Sequence, residues 1–200
     1  MTSTGHQAAH LHLPRRLFHM VAASFFPLLA LFVERNLLLT LLLASTTVFV
    51  IGDIARLYLK PLGTLFQKLF GPLLREREGN RITGASYILL GTLAGFALLP
   101  RDVAILAVLF VALGDPVAAM VGIRSPGPRV FGKSPLGTAA MIATCLSVAG
   151  ILHWAGVISL GWPVAVGAVV AGLTELLPLP LDDNLWVPLA AGMAMVLLGM

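Results

Sequence analysis

Apolar residues are strung along this chain in runs, and nearly every charge falls between them. Runs long enough to cross about 30 Å of hydrocarbon lie at about 17–33, 37–58, 83–99, 103–123, 137–156, 162–179 and 185–200. Only helices and closed barrels satisfy their own backbone in lipid. Seven such runs therefore predict an all-α fold, a polytopic membrane helix bundle of about seven spans. One segment breaks the pattern. Between 60 and 82, Leu62, Leu65, Phe66, Leu69, Phe70, Leu73 and Leu74 recur at helical spacing, with Lys60, Gln67, Lys68 and Arg75 between them. This spacing predicts an amphipathic helix lying in the membrane interface, bent or interrupted at Gly71-Pro72. Its expected role is a peripheral anchor or a gate for a lipid head group. Gly91 and Gly95 form a small-xxx-small pair, which predicts close helix packing.

Composition agrees with this reading and narrows it. At 58% hydrophobic and 11% charged over 200 residues, the chain lies far outside the soluble range. A chain of this length leaves no room for a separate soluble catalytic domain, so any chemistry must come from helix ends and short loops. The net charge of +4 reads as Lys and Arg anchoring loops beside anionic lipid, not as a nucleic-acid surface. Residues 1–13 carry His6, His10 and His12 and are expected to form a flexible tail. Residues 14–200 then form one transmembrane catalytic domain. The stretch from Pro14 to Phe18 superficially resembles a twin-arginine signal. No small-residue cleavage site follows it, so it is expected to open an uncleaved first span. Cys145 stands alone inside an apolar run and is expected to pack there.

Orientation follows from the basic residues. With the N-terminus inside, Arg15, Arg16, Arg56, Lys60, Lys68, Arg75, Arg77, Arg81, Arg124, Arg129 and Lys133 fall on the cytoplasmic side, and only Arg35 and Arg101 fall outside. Eleven against two predicts a cytoplasmic N-terminus. The same topology brings the unusual acids toward the cytoplasmic face: Asp115 within the fourth run, Glu175 near the inner end of the sixth, and Asp182 and Asp183 before the seventh. A charge at the bilayer centre costs roughly 2.5–3.5 kcal/mol even on the lenient scale, which makes such acids candidates for function.

Beside the acids lies a basic loop. From Gly122 to Thr138 it offers Arg124, Arg129 and Lys133, the hydroxyls of Ser125 and Ser134, and several glycines. Glycine lets a backbone approach a ligand closely, and the following helix N-terminus with Lys and Arg makes a phosphate cradle. Gly127 and Gly132-Lys133-Ser134 match the bare Walker A spacing. A P-loop also requires a preceding strand, and none is expected here. Asp115, Glu175, Asp182, Asp183 and Asn184 offer oxygen ligands without His or Cys, a set suited to Mg²⁺. Basic loop, acid cluster and bundle together predict metal-assisted phosphoryl transfer to or from a lipid. The rival from another class is a proton-coupled transporter. It accounts for the acids but not for the basic loop.

Four stretches, in this order, resemble the CTP-dependent polyprenol kinases, a family that includes dolichol kinase, phytol kinase and yeast-type diacylglycerol kinase. They are Arg15-Arg16-Leu17-Phe18-His19; Leu74-Arg75-Glu76-Arg77-Glu78 with Thr83-Gly84-Ala85-Ser86-Tyr87; Leu113-Gly114-Asp115-Pro116 leading to Phe131-Gly132-Lys133-Ser134-Pro135-Leu136-Gly137-Thr138; and Glu175 with Asp182-Asp183-Asn184. Leu136 stands where the family usually has glutamate, and Pro135 follows the serine. The related phosphatidate cytidylyltransferases also use CTP, but their Asp-rich C-terminal signature is not visible here.

The resemblance implies an inner-membrane enzyme that moves the γ-phosphate of CTP, or of another nucleoside triphosphate, to the hydroxyl of a polyprenol, phytol-like alcohol or diacylglycerol. It implies Mg²⁺ on Asp115, Asp182 and Asp183. Lys133, Gly132, Ser134, Gly137, Arg124, Arg129 and Asn184 are then expected around the nucleotide, with Asp115 or Glu175 orienting or deprotonating the hydroxyl. Arg75 and Glu78 would support the site from its other side. The oligomeric state is left open.

Overall fold

The computed structural model describes residues 13–71, 74 and 76–200, apart from the side chains of Glu76 and Arg77. His6, His10, His12 and Arg75 lie outside the described residues. The chain forms α1 (Leu13–Leu29), α2 (Arg35–Tyr58), α3 (Lys60–Phe70), a 3-10 turn (Glu76–Asn80), α4 (Gly84–Leu98), α5 (Arg101–Arg124), α6 (Pro135–Trp154), α7 (Trp162–Leu176) and α8 (Asp183–Leu197). Among the described residues there is no β-strand, only an isolated bridge between Val130 and Lys133. Each of the seven apolar runs becomes a helix, and α3 takes up the start of the amphipathic segment.

By length and composition, α2, α5 and α6 are long and apolar enough to cross a membrane. Helices α4, α7 and α8 each have 15 residues. At 1.5 Å per residue they rise about 22 Å, short of a hydrocarbon layer of about 30 Å. All three have an end at the site described below.

Helix α5 is the core. Val103 to Ala112 are buried without interruption, as expected of a helix that is apolar all round. It packs against α1, α4, α6, α7 and α8. The outer helix faces are apolar too: Val48 and Ile51 of α2 and Leu197 of α8 are exposed. In water such faces would associate; in a bilayer they meet lipid. Trp154 and Trp162, 89% and 63% exposed, flank the α6–α7 turn, and Tyr58 is exposed at the other end of the bundle. That is the placement of interfacial aromatic anchors.

Glycines set the closest approaches. A Cβ on Gly91 would lie 2.2 Å from the Asn184 carbonyl oxygen at the start of α8, and one on Gly95 would lie 3.6 Å from Val108 of α5. The small-xxx-small pair thus seats α4 against two neighbours. Because backbone must move to admit a methyl at Gly91, Gly91→Ala is expected to cost about 1–3 kcal/mol. A lowered thermal midpoint in detergent checks this, with Gly150→Ala, where a Cβ meets nothing within 4 Å, as the control.

Alternating helix directions sort the charges. Arg35 at the start of α2 donates to the carbonyls of Phe96 (2.9 Å), Ala97 (3.3 Å) and Leu99 (3.4 Å) at the end of α4. Arg101 at the start of α5 donates to the Ala30 carbonyl. These two arginines close the far end of the bundle. The acids and the remaining basic residues discussed below gather at the near end.

Candidate functional site

Three helix N-termini meet at the near end, each with a side-chain cap. Thr83 caps α4 by accepting from the Ser86 N–H, Ser134 caps α6 by accepting from Gly137 N–H, and Asp182 caps α8 by accepting from Asn184 N–H. The positive ends of helix dipoles favour anions there.

Lys133 reaches this site from a tight turn. Val130 and Lys133 exchange two backbone hydrogen bonds of 2.9 Å, with Phe131 (φ 51°) and Gly132 (φ 83°) between them. Two successive positive φ values make a turn of the I′ kind, which explains glycine at position 132. The turn places the Lys133 ammonium 2.7 Å from Asp183 Oδ2 and 3.1 Å from Glu175 Oε1. The ammonium also donates to the Glu175 carbonyl. Burial works to lower the Lys133 pKa. The hydrogen bond and charge of Asp183, with those of Glu175, outweigh it and hold the ammonium above the ordinary lysine range.

Asp115 completes the cluster. One carboxylate oxygen from each of Asp115, Glu175 and Asp183 lies within 4.8 Å of the others. Ionised, the three carry one charge each against a single ammonium, leaving two charges unmatched. An oxygen-only set with that surplus, partly buried, fits a hard divalent cation of the Mg²⁺ type. Asp182, expected among the ligands, instead uses its Oδ1 to cap α8 and to accept from Asn184 Nδ2 (2.6 Å). Glu175, expected as one of two candidates to act on the acceptor hydroxyl, stands with Asp115 and Asp183.

Two cavities open beside this cluster. The larger, about 400 Å³, is the more polar of the two: Lys133, Asp182, Asp183, Arg81 and Glu78 line it together with the apolar Ile82, Leu177 and Leu179. The smaller, about 190 Å³, is mostly apolar and lies among α1, α2, α3 and α4. Glu78 borders both. Its Oε1 accepts from Arg15 (3.4 Å) and from Gly84 N–H (3.1 Å), which ties α1 to the start of α4.

Other expected residues sit elsewhere. Arg124 and Arg129 are exposed, and each donates to a nearby carbonyl, those of Met120 (3.4 Å) and Ser125 (3.2 Å); neither borders the polar cavity. Gly137 gives its N–H to Ser134, and a Cβ there would lie 2.7 Å from the Ala118 carbonyl oxygen. It therefore serves α5–α6 packing. Asn184 is buried on the wall of the apolar cavity. Arg81, read from sequence only as a topological charge, lines the polar one.

A buried network behind the site escaped the sequence reading. Asp53 and Arg56 pair at 2.6 Å with side chains 0% and 2% exposed. Asp53 Oδ2 accepts from Thr83 N–H (2.7 Å), Thr83 Oγ1 (2.9 Å) and Ser86 Oγ (2.6 Å). Arg56 donates to the carbonyls of Glu78 (2.9 Å) and Arg81 (2.7 Å), and its guanidinium lies 4.6 Å from the Phe66 ring centroid. This network fixes the backbone around Glu78 and Arg81 and holds α3 to α2. The i, i+3 spacing of an acid and an arginine at the end of an apolar run was the available signal.

No family model matches the chain, and no solved structure matches it significantly. Curated proteins do. An uncharacterized protein of Rickettsia prowazekii is 26% identical over 88% of this chain and 89% of that protein. The CTP-dependent diacylglycerol kinase 1 of Saccharomyces cerevisiae is 26% identical over 92% of this chain and 72% of the kinase. The protein of the same name from Eremothecium gossypii is 32% identical over 54% of this chain and 35% of the kinase. The chain is thus similar, along most of its length, to a CTP-dependent lipid kinase.

Proposed function

We propose that this protein is a membrane-embedded lipid kinase that transfers the γ-phosphate of CTP to the hydroxyl of a lipid alcohol. The observation that carries the reading is Lys133, on the wall of the larger cavity, paired with Glu175 and Asp183 while Asp115 stands within 4.8 Å of those two carboxylates. Similarity to CTP-dependent diacylglycerol kinases supports the choice of donor and acceptor class. We place seven spans in the inner membrane, with the N-terminus and the site cytoplasmic, because eleven basic residues against two favour that orientation.

In this reaction the acceptor oxygen bonds to the γ-phosphorus as the bond from that phosphorus to the β-bridging oxygen breaks. CDP leaves, and the hydroxyl proton passes to a carboxylate. Asp115 suits that last task, because Lys133 engages the other two acids and leaves Asp115 unpaired with it. Lys133, freed from Asp183 as the nucleotide enters, neutralises charge on the transferred group. Arg81, on the wall of the polar cavity, holds the nucleotide's flanking phosphates. Mg²⁺ held by Glu175 and Asp183, with Asp115 left as the proton acceptor, would supply charge neutralisation to the donor phosphates.

The test is transfer from γ-labelled CTP, ATP or UTP by purified protein in detergent, with dioleoylglycerol or a long-chain isoprenoid alcohol as acceptor. Labelled lipid with CTP is expected, and it is expected to disappear when Mg²⁺ is chelated. No labelled lipid from any donor would overturn the reading.

A further inference from the structure

The polar cavity leaves a second one unexplained. The smaller cavity is walled by Phe18 and Ala22 of α1, Phe49 of α2, Phe66 of α3 and Ile88 of α4. Such walls suit a hydrocarbon chain and not a nucleotide. Its polar lining is Arg15, His19, Glu78, Thr83 and Asn184, and two buried atoms among them, His19 Nε2 and Asn184 Oδ1, have no hydrogen-bond partner among the described residues. Asn184 is only 4% exposed. Buried polar atoms are normally satisfied by protein, water or ligand, and these two belong to residues that line a mostly apolar chamber.

We propose that this cavity holds the hydroxyl end of the acceptor alcohol, a deeper form of the kinase reading and dependent on it. A hydroxyl both donates and accepts, so it meets the Asn184 oxygen as donor and can use the His19 ring nitrogen as its other partner. Position supports the assignment. Glu78 borders both cavities, and consecutive residues at the start of α8 divide between them, Asp182 and Asp183 toward the polar one and Asn184 toward the apolar one. A hydroxyl beside Asn184 is therefore next door to the donor phosphates. Helix α3 forms the outer wall. It has no buried residue and is held to α2 through Phe66, so it stands between the cavity and the bilayer from which a chain would enter.

The probe is a long-chain primary alcohol bearing a diazirine near its hydroxyl, photolysed with the full-length protein in detergent micelles. Adducts are expected on α1 and α4, and dioleoylglycerol or a long-chain isoprenoid alcohol should compete for them; the better competitor identifies the acceptor. Ala22 is exposed as well as lining the cavity, so Ala22→Trp can fill the chamber without displacing core. It should cut labelling by about tenfold or more and raise the acceptor KM while the CTP KM holds. Ala85→Trp, from the facing helix, should do the same. Adducts only on residues away from the cavity's lining, or labelling that both variants leave intact, would overturn the assignment. Persistent phosphate transfer with that result would sink the pocket alone, whereas specific labelling without any phosphate transfer would sink the kinase reading and keep an alcohol-binding pocket.

Discussion

Lys133→Ala is expected to lower phosphate transfer by about 10²-fold or more, the cost typical of losing one preorganised partner of the transition-state charge. The loss should fall on kcat more than on the CTP KM. The reason lies in the turn from Val130 to Lys133, which delivers one ammonium to two carboxylates and leaves the third unpaired. When phosphate arrives, that ammonium exchanges a carboxylate for an anion whose charge grows along the reaction. Lys133→Arg keeps the charge but changes its shape from a compact ammonium to a planar fork, so partial recovery is expected. Initial rates at saturating acceptor, with a near-wild-type thermal midpoint as a folding control, check both. A Lys133→Ala variant with normal turnover would remove Lys133 from the mechanism.

The largest effect on stability is expected at Arg56. Arg56→Ala leaves Asp53 buried with its charge unanswered and strips donors from the Glu78 and Arg81 carbonyls. Breaking a buried pair from one side costs about 3–5 kcal/mol. For a chain of this size the thermal midpoint in detergent should fall by about 6 °C or more. Asp53→Ala should be comparable, because Thr83 and Ser86 also lose their acceptor. The damage should reach activity, since the same backbone carries Glu78 and Arg81. A midpoint within a degree or two of wild type for both variants would mean that water satisfies these groups.

Much of the fold was legible because apolar periodicity is a strong signal in membranes. Seven runs became helices, and the start of the 60–82 segment became α3. The site was legible in part. Acids are expensive in apolar runs, so Asp115, Glu175 and Asp183 could be picked out before any geometry was known. Which of them converge was not readable: adjacent Asp182 and Asp183 differ by a helical step, and that step sends one to a cap and the other to Lys133. Nor could spacing separate Lys133 from Arg124 and Arg129, because the turn at Phe131-Gly132 decides which cation of the loop points inward. The Asp53–Arg56 network and the places of His19 and Asn184 on the apolar cavity's lining depend on contacts between distant segments, and these left little trace in local pattern.

Movement of a terminal phosphate from CTP to a lipid hydroxyl defines the proposed kinase. It is tested most directly by giving the purified protein, Mg²⁺ and a lipid alcohol two forms of CTP in parallel, one labelled at the α-phosphorus and one at the γ. Label is expected in the lipid from the γ-labelled donor alone, with CDP as the coproduct. Label from the α-phosphorus, with pyrophosphate released, would mark a nucleotidyl transfer and contradict it.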